Sequence, residues 1–156
     1  MKAIFFICAS MLSLTGFSQT DTALLRFSNP SSVAQVVGYS HAAEIDLGKS
    51  KMLIISGQIA LDSGGRLVGK YNLALQTEQI FTNIRNIVAA SGGTMNDLVK
   101  ITIFMKDISH VQIVRDVRNK YINLRHPPAS TLVEVSRLVS EDLLIEIEAT
   151  AVIAKR

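Results

Sequence analysis

The sequence predicts an α+β domain, a mixed or antiparallel sheet with two helices packed on one face. Three observations carry this. Leu73, Ile80, Phe81, Ile84, Ile87 and Val88 keep the i, i+3/i+4, i+7 spacing of a long amphipathic helix, with Asn72 as its cap and Gly92-Gly93 as its stop. Leu98 to Met105 and Leu143 to Ile153 alternate with the period of two that belongs to strands. The order of elements is strands, helix, strand, helix, two strands, with no internal repeat, linker or low-complexity segment. At 156 residues the chain makes one ordinary domain, long enough to bury a core without disulfides or metal.

The first 18 residues read as a secretory signal peptide. Met1-Lys2 is a short positive start, Ala3 to Leu14 is almost wholly apolar, and Gly16 and Ser18 are the small residues before a cut at Gln19. The run is short for a membrane span, although an uncleaved anchor or a buried helix is its other use. Residues 19–32 read as a polar, turn-rich leader carrying Asn29-Pro30, and the domain occupies 33–156. Val33 to Tyr39 begins it with a short apolar alternation, and His41 to Leu47 continues as a second half-strand. Lys51 to Ile55 reads as a buried strand by its continuous apolar run, stopping at Ser56-Gly57-Gln58. Gly57 can let other groups approach the backbone. Asp62-Ser63-Gly64-Gly65 is a hairpin-type turn and Arg66-Leu67-Val68 a short return strand. After the long helix and the Leu98–Met105 strand, Ser109 caps a second helix with Val111, Val114, Val117 and Tyr121 on its inner stripe. His126-Pro127-Pro128 ends it, because proline cannot donate the helical hydrogen bond.

Composition excludes several chemistries. Cys8, the single cysteine, lies in the segment expected to be removed, so the mature chain has no thiol chemistry and no disulfide. The formal net charge of +3 is spread along the chain, without a Lys/Arg run of three after Gln19. A nucleic-acid partner would want a basic stripe with interleaved aromatics. His41, His110 and His126 have no metal-ligand spacing, and neither a phosphate loop, a dinucleotide fingerprint nor a nucleophile elbow is found. No metal or cofactor is therefore expected. Chemistry is left to carboxylates, hydroxyls and backbone donors. Glu146 and Glu148 share one strand face with Thr150, opposite Ile145, Ile147, Ala149 and Ala151. Such a face normally meets water; the sharper reading makes one of the two a general acid or base. Spacing alone does not choose.

A resemblance does. Ile54 to Ile59 (IISGQI), Ala89-Ala90-Ser91-Gly92-Gly93, Asp97 to Lys100 with Phe104 to Asp107, and Pro128-Ala129 leading to Ile145-Glu146-Ile147-Glu148-Ala149 together resemble the RidA/YjgF family, over about residues 33 to 154. The resemblance implies a chorismate-mutase-like α+β fold and a homotrimer with clefts between subunits. It also implies hydrolysis of reactive enamines and imines to keto acids and ammonia, with no cofactor. Residue by residue, it puts Tyr39 at the wall of the cleft, Ser56 of the SGQ turn among its ligand-binding groups and Glu146 as its catalytic carboxylate, and Gly57 beside Ser56 and Ser130 in β-strand context join the candidate ligand-binding residues. Where the deaminases have an arginine and a cysteine, this chain has Ser130 and Leu132.

A guanidinium fork holds a carboxylate through two charge-assisted bonds that a hydroxyl cannot reproduce. A bond to a charged group is worth about 1.5–3 kcal/mol, so its loss costs roughly ten- to hundredfold in affinity. Ser130 and Thr131 offer neutral hydroxyls instead. Arg115, Arg125 and Arg137 can reach the site from other elements, though ordinary surface arginine is their commonest role. Two functions follow: a C–N hydrolase of an arginine-lacking branch, or a trimer that binds a small metabolite without turning it over. Ribonuclease activity is disfavoured by export and by the missing basic stripe. The partners expected are a small-molecule ligand and copies of the same chain, with no nucleic acid and no membrane once the signal is cut.

Overall fold

The computed structural model describes residues 24–155, so the signal-peptide reading of 1–18 lies outside the described residues. Six strands and two helices follow one another in the chain: β1 (Leu25–Ser28), β2 (Ala42–Asp46), β3 (Ser50–Gln58), α1 (Leu73–Ala90), β4 (Leu98–Met105), α2 (Val111–Arg118), β5 (Ala129–Glu134) and β6 (Ile145–Ala154). The strands form one mixed sheet in the order β1-β2-β3-β6-β4-β5, in which only β4 and β5 run parallel. The α+β expectation with helices on one face is met.

Alternation builds the core. Ile145, Ile147, Ala149, Ala151 and Ile153 of β6, Ile101, Ile103 and Met105 of β4, and Leu53 and Ile55 of β3 all point to one side. Ile80, Phe81, Ile84, Ile87 and Val88 of α1 and Val114 and Val117 of α2 cover them. Fully burying such a side chain contributes about 1.5–3 kcal/mol. Phe81 stacks on Tyr121 at 5.2 Å, so Tyr121 packs inward as its stripe predicts. Asn72 caps α1, its Oδ1 accepting from the Leu75 N–H at 3.0 Å, and Gly92, at φ +77°, turns the chain out of it. Among the described residues no helix is long and apolar enough to cross a membrane.

Several elements differ from their sequence readings. The stretch taken as a leader carries β1, an edge strand laid on β2 with Leu25 opposite Ile45 and Phe27 opposite Ala43. Leu25, Arg26 and Phe27 are exposed, and a strand held by ladder hydrogen bonds alone leaves no burial pattern to read. Conversely, 33–40 is irregular: Val33 and Ala34 are buried, but their backbone joins no ladder. β3 is longer than expected and buried on one face only, with Ile54 45% exposed. The Asp62 turn forms, its Oδ1 accepting from Gly64 and Arg66 N–H, but the return strand shrinks to a single bridge between Leu61 and Leu67. α2 ends at Arg118, well before the prolines, and Asp107 rather than Ser109 caps the short 3₁₀ turn that opens it.

Candidate functional site

The face of the sheet turned away from the helices carries the polar residues of β6. Cross-strand pairing aligns two rows on it. Val133, Phe104 and Glu146 form one, and Thr131, Thr102 and Glu148 the other. Opposite residues in such rows stand close enough for direct side-chain contact. The chain beyond β5 folds over the end of these rows. Its Val135 N–H donates to Met105 O at 2.8 Å, extending the pairing. Arg137, Leu138 and Val139 then join Phe104, Val135, Glu146 and Glu148 around a depression of about 360 Å³.

Glu146 is placed by elements on both sides of the sheet. From the helix layer, buried Gln76 of α1 holds the approach to β6: its Oε1 accepts from Leu144 N–H at 2.8 Å and its Nε2 donates to Asp142 O at 2.8 Å. From β3, the pairing with β6 slips between Ile55 and Gln58. This bulge sets Gly57 against the carboxylate, so that a Cβ there would lie 1.9 Å from Glu146 Oε1. Glycine is what lets the carboxylate come that close, and any side chain there would push it aside. Glu146 is half-buried, and burial, with the charge of Glu148 as a lesser cause, pushes its carboxyl above the usual glutamate range. Glu148 is exposed.

Gly57 also lines a second, smaller hollow of about 170 Å³ with Tyr39, His41, Gln58 and Asn83. Tyr39 is 53% exposed and meets the His41 ring edge-on at 6.3 Å. His41 is buried. Its Nε2 lies 2.7 Å from Ala34 O, which can only accept, so that nitrogen carries the proton and Nδ1 accepts from Gln58 Nε2 at 3.2 Å. Ser56 donates its hydroxyl to Ser40 O at 2.7 Å, and His41 N–H donates to Asn29 Oδ1 at 2.8 Å. Asn83 Nδ2 donates to Ile59 O and Leu61 O. The SGQ turn is thereby tied to the 33–40 segment on one side and to α1 on the other.

Gly57 at the bulge thus stands against Glu146 and shares the second hollow with Tyr39, with Ser56 next to it in β3, while Tyr39 and Glu146 border different hollows and Ser130 borders neither. Ser130 is the register partner of Ile101, on the helix-side face of edge strand β5, and Glu146 lies on the opposite face. Within one chain it is Thr131 that shares a face with the glutamates. Phe104 and Val139 were not placed at the depression by any sequence pattern, and of the three arginines that could reach the site only Arg137 lines it. The alternation of β4 and β6 marks Phe104 and Glu146 as non-core, but only their pairing puts them side by side. Among the described residues no group of three metal-ligating side chains stands together.

Comparison with known proteins finds that residues 30–153 match the family model described as endoribonuclease L-PSP. A RutC family protein of Pyrococcus horikoshii is 39% identical over 99 residues, 64% of this chain and 77% of that protein. The protein named 2-iminobutanoate/2-iminopropanoate deaminase of Salmonella typhimurium is 37% identical over 110 residues, 69% of this chain and 83% of its own. The crystal structure of a protein of unknown function from Yersinia pestis, of the conserved Rid protein family, superposes with a TM-score of 0.73 at 31% identity. That match covers 81% of this chain and 98% of the other.

Proposed function

The chain belongs to the RidA/YjgF family, and from that premise we propose that it hydrolyses reactive enamines, imines or related small C–N metabolites. The half-buried Glu146 carboxylate carries this reading: it is held against Gly57 at the edge of a ligand-sized depression, with its proton affinity raised by burial. A general base is most effective when its pKa is drawn towards working pH.

In the reaction, a water molecule adds to the C=N carbon while Glu146 takes its proton, and the electron pair of the C=N bond goes to nitrogen. Glu146 then returns the proton to nitrogen. The remaining hydroxyl then gives its proton to nitrogen by way of Glu146 and forms a C=O bond as the C–N bond breaks, so that ammonia leaves and one water is consumed. Tyr39 walls the ligand, and the SGQ turn, Ser56 and Gly57, presents backbone to it. The face that bears Glu146 is uncovered in a single chain and exposes Ile54, Val133 and Val139. This supports a homotrimer whose neighbouring copies close the cleft, with Ser130 contributing across the boundary; sedimentation at the monomer mass would oppose it. The N-terminal pattern supports export to the periplasm or beyond, with Gln19 as the first residue found on sequencing the mature protein.

Ammonia release from short-lived enamines should be lost in Glu146→Ala. Equal rates in both proteins would remove Glu146 from the mechanism. Saturable binding without turnover would mark the chain instead as a small-metabolite-binding module.

A further inference from the structure

Among the described residues the Glu146 carboxylate forms no ion pair and accepts no hydrogen bond. Contact alone places it, and the backbone it rests against is Gly57. By itself Gly57 is a poor support. Glycine leaves the backbone its greatest freedom, and this one lies in the bulge, where the pairing of β3 with β6 skips from Ile55 to Gln58. Two buried polar side chains remove that freedom. Gln58 curls back over the bulge, its Nε2 donating to Ser56 O at 2.9 Å. Because a peptide is planar, holding its C=O also fixes the Gly57 N–H at the other end.

His41 holds the amide in turn. Ala34 O at one end of the chain of bonds and Ser56 O at the other can only accept, so each proton between them has one place. His41 Nε2 gives its proton to Ala34 O at 2.7 Å, which leaves Nδ1 a bare acceptor. Gln58 Nε2 has two protons, one for Ser56 O and one for Nδ1 at 3.2 Å. A flipped amide would set its oxygen against the Ser56 carbonyl and the imidazole lone pair. The His41 carbonyl also accepts from Ser56 N–H at 2.9 Å, so the same residue grips the bulge from its backbone. His41 and Gln58 are 5% and 2% exposed, and in such surroundings each bond is stronger than in water.

A buried histidine with both nitrogens bonded ordinarily serves the fold alone. This one bears on the site because its chain of bonds ends on the peptide that Glu146 rests against. We propose that His41 and Gln58 are positioning residues for Glu146: Nδ1 of His41 aims the Gln58 amide, and the amide holds the Ser56–Gly57 peptide against the carboxylate. The inference rests on the hydrolase reading above. Neither side chain meets the reacting atoms; both act through Gly57.

The test measures kcat and KM for ammonia release from a short-lived enamine in wild type, His41→Asn, His41→Gln and Gln58→Met, with the urea midpoint of each protein read alongside. Asparagine puts its Oδ1 where imidazole has Nδ1 and keeps the acceptor for Gln58. Glutamine puts its Nε2 where imidazole has Nε2, reaching Ala34 O but leaving no acceptor at Nδ1. In His41→Gln and Gln58→Met kcat falls about ten- to hundredfold with KM unchanged, as for a misplaced base. His41→Asn recovers most of that loss. Equal kcat in His41→Asn and His41→Gln, or losses that follow the urea midpoints, overturn the inference and leave the hydrolase reading standing. If wild type turns over no enamine, the hydrolase reading fails, and titration of the Glu146 carboxyl by 13C NMR decides the inference. A loosened Gly57 lets water reach the carboxylate, so the midpoint falls towards the ordinary glutamate range in His41→Gln and holds in His41→Asn; one midpoint in both variants overturns it. Should a His41 variant not fold, Gln58→Met against wild type decides by the same readouts: kcat lowered at unchanged KM, or a lowered carboxyl midpoint, upholds the inference, and no change in either overturns it.

Discussion

Replacing Gly57 by alanine separates the chemistry of the site from the stability of the fold. The added Cβ would sit 1.9 Å from Glu146 Oε1 and 2.8 Å from its Cδ, where ordinary contact begins at 3.4 Å. The carboxylate is the far end of a flexible side chain, so it yields rather than the backbone, and it must travel about 1.5 Å, the gap between those two distances. A displacement of about 1 Å at a reacting group costs on the order of a hundredfold in rate. The backbone at Gly57 has no positive φ, so alanine fits there without strain, and its smaller unfolded-state entropy offsets the disturbance by about 0.5–1 kcal/mol. The expected outcome is a kcat/KM for ammonia release lowered about hundredfold, with a urea-unfolding midpoint at or above wild type. Full activity in a folded Gly57→Ala protein would refute the placement of Glu146 as base.

Glu146 also sets a pH signature. The acid limb of kcat/KM should have its midpoint above the ordinary glutamate value of about 4.3. Glu148→Gln should move it down without returning it to that value, because burial is the larger cause; an unmoved limb would remove Glu148 from the electrostatics. Since the folded pKa of Glu146 is raised, wild type loses stability as pH climbs from the unfolded value through the folded one. Glu146→Gln should therefore gain on wild type across that window and show no further gain at lower pH, as read by urea unfolding at a series of pH values. Gln76→Leu should cost about 1–3 kcal/mol for each buried group it strands, Leu144 N–H and Asp142 O. Unfolding at fixed protein concentration measures this, and a loss below 1 kcal/mol would contradict the clamp.

The long helix, β4 and β6 were legible because their side chains are sorted by burial, and burial is what periodicity records. Asn72 and Gly92 were legible because caps depend on local geometry. β1 left no trace, since its side chains meet solvent and its stability comes from backbone bonds to β2. The end of α2 was placed too late because the prolines forbid a helix beyond them but do not require one up to them.

For the site, alternation put Glu146 and Glu148 on the non-core face, and the SGQ pattern marked the turn that meets Glu146. Which carboxylate is half-buried, and which arginine stands beside it, depend on register and on a bulge. A slip of one residue in β5 would exchange Ser130 for Thr131 on the glutamate face, with the sequence unchanged. Sequence by itself thus determined the family and the elements with a buried stripe, and its resemblance singled out Glu146 over Glu148 as the candidate base. The tertiary structure alone decided that Ser130 and Glu146 lie on opposite faces and that Arg137 shares the depression. Pairing between distant strands is set by the sum of many weak contacts, and no single stretch of chain encodes it.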